Sequence, residues 1–237
     1  YGSKGSSIVV PEARYFAGLG FVAFSVNYRL EADVAIPELY SVRDAVYDLK
    51  AAIRYVVRHA EELGVDAHRI AVWGSSAGAI TAVSSMLEPN DGDSGNEGFP
   101  SNITAAVGVS GCLWPFLLRP FHGADQRDQL VPWMDIHGDS DITVFPTLAI
   151  ITHHLLRDYG VPDASNRLVW VRHGGHVPWV RWFGPNHAHS GEPPDGEMRT
   201  RDILRPHVQA FLVNALGLQD ASCSDGSASE KLVPIVQ

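Results

Sequence analysis

The chain has 237 residues, 45% of them hydrophobic and 19% charged, which favours one globular domain and excludes global disorder. The formal net charge is −9 and there is no basic tract, so nucleic acid and anionic membranes are not expected as partners. No apolar run approaches the ~20 residues that span a bilayer, and the first residues lack the apolar stretch of a signal peptide. We therefore expect no membrane insertion and leave the compartment and the oligomeric state open.

Strand-like and helix-like segments alternate along the chain. The pattern predicts strands over 21–28, 69–74, 105–110, 133–137 and 168–171, with helices over 39–63, 77–87, 144–159 and 201–216. This alternation predicts an α/β fold, a mostly parallel sheet with helices on both faces, over residues 1–218. From Gln219 the composition shifts to Ser, Asp and Gly, which predicts a loose C-terminal tail over 219–237.

The histidines and cysteines do not indicate a metal site or a disulfide scaffold. Among eleven histidines there is no His-x-x-x-His or Glu-x-x-His spacing, and there is no Cys-x-x-Cys pair, so we expect no metal and no cofactor. Cys112 and Cys223 are the two cysteines of the chain. So sparse a count favours unpaired thiols, although a pair between them stays open.

A nucleophilic serine is indicated by Gly74-Ser75-Ser76-Ala77-Gly78, which matches Gly-x-Ser-x-Gly between a predicted buried strand and a predicted helix. Such a turn is so tight that only glycine is expected to fit at both flanks, Gly74 and Gly78, and it lifts the Ser76 hydroxyl above the sheet edge. The backbone N–H of Ala77 would then be one donor of an oxyanion hole. A glycine and serine turn without chemistry is the alternative interpretation of the motif.

A serine nucleophile needs a base and an orienting acid, and both are expected at the carboxyl edge of the sheet. Asp135, Asp139 and Asp141 compete for the acid; we favour Asp141, since Asp135 lies within the strand pattern and Asp139 suits a turn or helix cap. His176 follows two glycines after the last strand and is favoured as the base over His173. The predicted catalytic residues are therefore Ser76, Asp141 and His176.

These segments resemble the α/β-hydrolase superfamily, and more closely its branch of small carboxylesterases, feruloyl esterases and hormone-sensitive-lipase-like proteins. The resemblance covers roughly residues 1–216 and is most specific over 66–78, the lead-in and elbow around Ser76. His137-Gly138-x-x-Asp141 and Gly174-Gly175-His176 are similar to the acid and base segments of that family, in the same chain order. The resemblance implies ester hydrolysis through an acyl-enzyme without a cofactor.

One departure concerns the amino-terminal part of the fold. The family usually carries a His-Gly-Gly-Gly-type loop that supplies further oxyanion-hole amides, and Tyr1-Gly2-Ser3-Lys4 resembles the segment after that loop. We therefore expect a domain that lacks the first strands and that loop, relative to the family. Only about twenty residues separate Ser110 from Trp133, which predicts no large lid.

Aromatic residues follow the predicted site segments, and Trp114 and Trp179 are the preferred substrate contacts, with a core role as the alternative for each. The expected function is serine-dependent hydrolysis of small or aromatic carboxylic esters, with a small-molecule ester as the partner. Two alternatives stay open: a serine peptidase of prolyl-oligopeptidase type, and a hydrolase-fold chain that binds without catalysing.

Overall fold

The computed structural model describes residues 9–29, 37–113, 130–178, 200–218 and 233–236. Its centre is a six-stranded sheet in which every paired neighbour is parallel. The strands are β1 (Phe21–Phe24), β2 (Ala71–Ser75), β3 (Ala105–Val109), β4 (Trp133–Gly138), β5 (Asn166–Val171) and β6 (Val233–Val236). Their spatial order is β1-β6-β2-β3-β4-β5, so the carboxyl ends of all six strands share one edge of the sheet.

Helices cover both faces of this sheet, as the alternating pattern predicts. The helices are α1 (Val9–Gly18), α2 (Pro37–Arg58), α3 (Ala60–Leu63), α4 (Ala77–Ser85), α5 (Pro146–Tyr159) and α6 (Thr200–Ala215). Residues of α1 and α6 pack on one face, whereas residues of α2, α4 and α5 pack on the other. Trp73 and Val72, successive residues of β2, belong to the two opposite cores, because side chains alternate across a strand. The predicted helix over 39–63 is divided at His59 into α2 and α3. Its predicted end is confirmed, since Gly64 has a φ of 65° and ends α3.

The carboxy-terminal prediction differs from the structure. Sequence analysis predicted a loose tail over 219–237, but Val233–Val236 forms a strand, and residues 219–232 lie outside the described residues. This strand lies between β1 and β2: Ile235 is in register with Ala23 on one side and with Ala71 on the other. The physical reason is that β1 and β2 each present unpaired backbone groups toward the other, and an extended apolar segment pairs with both.

Helix α1 is a second element that the sequence patterns did not predict. Its Glu12 carboxylate is fully buried and accepts hydrogen bonds from Arg205 of α6, at 3.1 Å from Nε and 3.0 Å from Nη2. This two-point ion pair joins the two helices of one face. None of the helices within the described parts of the chain is long and apolar enough to cross a membrane.

Candidate active site

Ser76 lies in the sharp turn between β2 and α4. Its backbone has a φ of 53° and a ψ of −118°, a conformation that few residues other than glycine adopt. The Ser76 N–H donates to the carbonyl of Val109 at 2.8 Å, and the Ser76 carbonyl accepts from Ile80 N–H at 3.0 Å. These two bonds tie the strained residue to β3 and to the first turn of α4, which holds its side chain above the sheet edge.

The two glycines around Ser76 have different roles. A Cβ atom on Gly74 would lie 2.3 Å from the Gly78 carbonyl carbon, so a side chain at position 74 cannot fit. A Cβ on Gly78 would meet nothing within 4 Å. The expectation that both flanks must be glycine therefore holds at Gly74 and is wrong at Gly78. A side chain at position 78 would have room, and it is the Gly78 backbone that leaves no space for a Cβ on Gly74.

Asp141 lies in the turn after β4, with its side chain fully buried. Its Oδ1 accepts hydrogen bonds from the backbone N–H groups of Thr143 at 2.8 Å and Val144 at 3.0 Å. Burial alone would raise the pKa of Asp141, but the hydrogen bonds from His176, Thr143 and Val144 outweigh it, and the pKa lies below its ordinary value. Asp141 is therefore a carboxylate whose Oδ2 is left for a side-chain donor.

The other two aspartates have different partners. Asp139 is exposed, and its Oδ1 accepts from the Ser140 hydroxyl at 2.9 Å. Asp135 is buried within β4 and bonds to His137 Nδ1 and to Gly111 N–H. Of the three competing aspartates, the structure brings only Asp141 to the base segment.

The base segment follows β5 and packs backbone to backbone against the turn after β4. Ser140 N–H donates to the Gly174 carbonyl at 2.9 Å, and a Cβ on Gly138 would lie 2.2 Å from that same carbonyl oxygen. On the other side, Val177 N–H donates to the Ser110 hydroxyl at 3.0 Å. Val177 has a φ of 50°, which is rare for a β-branched residue, so these contacts hold a strained loop.

The three segments bring Ser76, Asp141 and His176 into one hydrogen-bonded chain. His176 Nε2 lies 2.8 Å from Ser76 Oγ, and His176 Nδ1 lies 2.9 Å from Asp141 Oδ2. The His176 side chain is 23% exposed, so this base is accessible from solvent while its acid is not. His173 is exposed at the start of the same loop and has no place in this chain of bonds.

Comparison with known proteins finds similarity both in sequence and in structure. A protein-family model described as BD-FAE matches residues 3–112. The solved esterase Est2 of Thermogutta terrifontis matches with a TM-score of 0.62 and 25% identity, over 90% of this chain and 77% of that one. The chain has the α/β-hydrolase fold.

Two curated relatives come from Mycobacterium tuberculosis. Carboxylesterase NlhH is 32% identical over 171 residues, which are 63% of this chain and 52% of NlhH. The probable carboxylic ester hydrolase LipM is 33% identical over 81 residues, 34% of this chain and 17% of LipM. The chain thus spans about half of NlhH and a smaller share of LipM.

In this hydrolase fold, Ala77 is the first residue of α4. The N–H groups of a helix's first turn have no acceptor within the helix, so the Ala77 N–H is available beside Ser76. It lies at the positive end of the helix dipole, which favours a negative charge there.

Two features of the candidate site were not predicted from the sequence. Ser110 holds the base loop through Val177 N–H, and its φ of 57° was not foreseeable from a serine that ends a strand pattern. His137 is fully buried behind Asp141 and bonds to Asp135. The His137-Gly138 pair is part of the acid segment in the sequence, but its spacing to Asp141 carries no signal for the bond between His137 and Asp135.

Several features predicted from the sequence lie outside the described residues. They are the substrate contacts Trp114 and Trp179, most of the segment between Ser110 and Trp133, residues 1–4, and Cys223. Cys112 is buried, and burial, together with the charges of Asp135 and Asp141, raises its pKa to about 12. Within the described parts of the chain, no group of three or more His, Cys, Asp or Glu residues is arranged to hold a metal ion.

Proposed function

We propose that the chain is a serine-dependent carboxylic ester hydrolase that works through an acyl-enzyme. The observation that carries this proposal is the continuous chain of hydrogen bonds from Asp141 Oδ2 through His176 to Ser76 Oγ. A neutral imidazole that donates from Nδ1 to a carboxylate presents Nε2 as an acceptor to the hydroxyl, which is the arrangement a general base needs. The names of NlhH and LipM, a carboxylesterase and a probable carboxylic ester hydrolase, support an ester as the substrate.

The first half of the reaction forms the acyl-enzyme. Nε2 of His176 takes the proton from Ser76 Oγ while that oxygen attacks the ester carbonyl carbon, whose oxygen becomes an oxyanion. The imidazolium of His176 is stabilised by the Asp141 carboxylate, and it gives its proton to the departing alcohol as the tetrahedral intermediate collapses. The acyl group is then bound to Ser76 as an ester.

The second half repeats the same proton transfers with water. His176 removes a proton from a water molecule that attacks the acyl carbonyl carbon, and the proton then passes to Ser76 Oγ as the acid leaves. In both halves the oxyanion is stabilised by the Ala77 N–H at the start of α4, where the helix dipole adds to the hydrogen bond. Small or aromatic carboxylic esters are the substrate class that we propose. Trp114 and Trp179, which lie outside the described residues, are the substrate contacts that we propose from the sequence.

Labelling with a fluorophosphonate tests the nucleophile, because such probes react with activated serines. The intact protein is expected to be labelled at Ser76, whereas Ser76→Ala should lose both the label and nearly all ester turnover, by up to about 10⁶-fold. Ser75→Ala is the matched control, since it removes the neighbouring hydroxyl and leaves the hydrogen-bonded chain intact. Labelling and turnover that persist in Ser76→Ala, or that disappear in Ser75→Ala, would contradict the assignment.

A further inference from the structure

A second histidine lies directly behind the proposed acid. His137 of β4 is fully buried, and its Nδ1 lies 2.9 Å from Asp135 Oδ2. Its Nε2 lies 2.9 Å from the Val144 carbonyl oxygen and 3.5 Å from Asp141 Oδ2. The oxygen of Asp141 that bonds to His176 therefore also faces the ring of His137.

The partners of His137 indicate its charge. A neutral imidazole has one donor and one acceptor nitrogen, but here Nε2 faces a carbonyl oxygen and Nδ1 faces a carboxylate, and neither group offers a proton while Asp135 is ionised. The other oxygen of Asp135, Oδ1, accepts a hydrogen bond from the Gly111 N–H at 3.1 Å, and a donor to a carboxyl oxygen favours the ionised carboxylate. Both nitrogens of His137 are then donors, which is the imidazolium form.

The groups around His137 agree with a positive charge at this position. Two carboxylates face its ring, Asp135 from the same strand and Asp141 from the following turn. The Cys112 thiol after β3 stays neutral, and Trp170 of β5 meets the ring edge to face at 6.1 Å between centroids. Burial alone would lower the pKa of His137, but the hydrogen bond and charge of Asp135, the Val144 carbonyl and the charge of Asp141 raise it above its ordinary value. One cation between two buried carboxylates leaves no carboxylate without a partner.

We propose that His137 is a buried imidazolium that acts as a positioning residue: it holds Asp141 from behind and partly neutralises the charge that Asp141 presents to His176. The effect on catalysis rests on the proposed ester hydrolysis, whereas the positive charge of His137 does not. The consequence for catalysis is that the carboxylate facing His176 carries a partly compensated negative charge.

The sign of the effect separates this role from a purely structural one. If His137 acts through its charge, the neutral variant His137→Gln should hold the proton of His176 more tightly, and the titration of His176 should move to higher pH by about one unit. If His137 only supports the turn, its loss should loosen the bond from Asp141 to His176. The titration would then move to lower pH or stay unchanged.

Two measurements test the proposal, and neither depends on turnover. In the intact protein, long-range ¹H–¹⁵N correlation at neutral pH should detect protons on both ring nitrogens of His137; a non-protonated nitrogen would overturn the proposal even if no variant folds. A pH titration of the His176 ring by the same method, in the intact protein, His137→Gln and the exposed control His173→Gln, should move upward only in His137→Gln. No shift, or a downward shift, would also overturn it.

Ester kinetics add an arm that distinguishes the two proposals. The acid limb of kcat/KM should follow the His176 titration, and should move upward by about the same one unit in His137→Gln. An intact protein without ester turnover would refute the proposed function, while the two resonance measurements would still decide the charge of His137.

Discussion

Replacing Asp141 with asparagine changes one atom at the point where the hydrogen-bonded chain begins. Oδ1 of Asp141 accepts from Thr143 N–H and Val144 N–H, so the amide oxygen of an asparagine is held in that place. The amide NH₂ must then occupy the position of Oδ2, which lies 2.9 Å from His176 Nδ1. A donor at this position requires Nδ1 to be an acceptor, and the proton of a neutral imidazole moves to Nε2.

The magnitude follows from the tautomer. With its proton on Nε2, His176 donates to Ser76 Oγ and cannot remove the hydroxyl proton, so the base is lost although every side chain remains in place. An imidazole held in the wrong tautomer lowers kcat by about 10⁴ in a serine protease triad, which corresponds to about 5 kcal/mol of transition-state stabilisation. We expect a loss of this order for Asp141→Asn. Rotation of the asparagine amide by 180° would restore an acceptor for His176, but it is unfavourable because the NH₂ group would then face the N–H groups of Thr143 and Val144.

The assay is the hydrolysis of a p-nitrophenyl ester, with thermal unfolding measured in parallel to detect any loss of structure. Asp139→Asn is the matched control, since Asp139 lies two residues away, is exposed and accepts a hydrogen bond from the Ser140 hydroxyl. Its turnover should stay within a few-fold of the intact protein. If Asp139→Asn lost as much activity as Asp141→Asn, or more, the geometric reasoning from the Asp141 oxygens would be refuted.

Two further predictions concern stability. Folding raises the pKa of His137, so above pH ~6.5 the native state still holds a proton that the unfolded chain has released. The free energy of unfolding should therefore fall by about 1.4 kcal/mol per pH unit from pH ~6.5 until the pKa of the folded state is reached. Urea unfolding at pH 6 and pH 8 should detect this slope in the intact protein and a smaller one in His137→Gln; equal slopes would contradict it. For β6, Ile235→Pro removes an N–H from a strand that pairs on both sides and should cost about 1–3 kcal/mol in the same unfolding experiment, whereas an unchanged midpoint would mean that Val233–Val236 does not hold β1 to β2.

The elements that the sequence predicted well are those whose burial is encoded locally. Strands β2 and β3 are short apolar runs with buried side chains throughout or nearly so. Helix α2 carries its apolar residues at helical spacing, and Gly64 ends the helix α3 that follows it. Strand β6 was missed because four residues with a proline at their centre carry no period, and a proline argues against an interior strand. Its place depends on the two neighbours between which it lies, which are far away in sequence.

The same distinction applies to the site. Ser76 could be predicted as the nucleophile because its motif is 5 consecutive residues. The steric constraint on Gly74 comes from the Gly78 backbone, which belongs to the same motif. The choice among Asp135, Asp139 and Asp141 depended on which carboxylate faces a loop that follows another strand. The sequence favoured Asp141 only by its position after the strand, and it carried no signal for the contact between Asp135 and His137.

Backbone contacts, rather than the reacting side chains, set the distances within the proposed triad. The turn after β4 and the loop after β5 are joined by Ser140 N–H to the Gly174 carbonyl, and Gly138 allows that approach because it has no Cβ. Ser76 is joined to the strand next to it by its own N–H and the Val109 carbonyl. Since these bonds belong to the ends of adjacent parallel strands, the spacing of the strands themselves fixes where the nucleophile, acid and base meet. Substituting one triad side chain should therefore remove its catalytic contribution and leave the other two side chains in place. For this reason, the loss of activity in each single variant measures the role of that residue and not a loss of structure at the site.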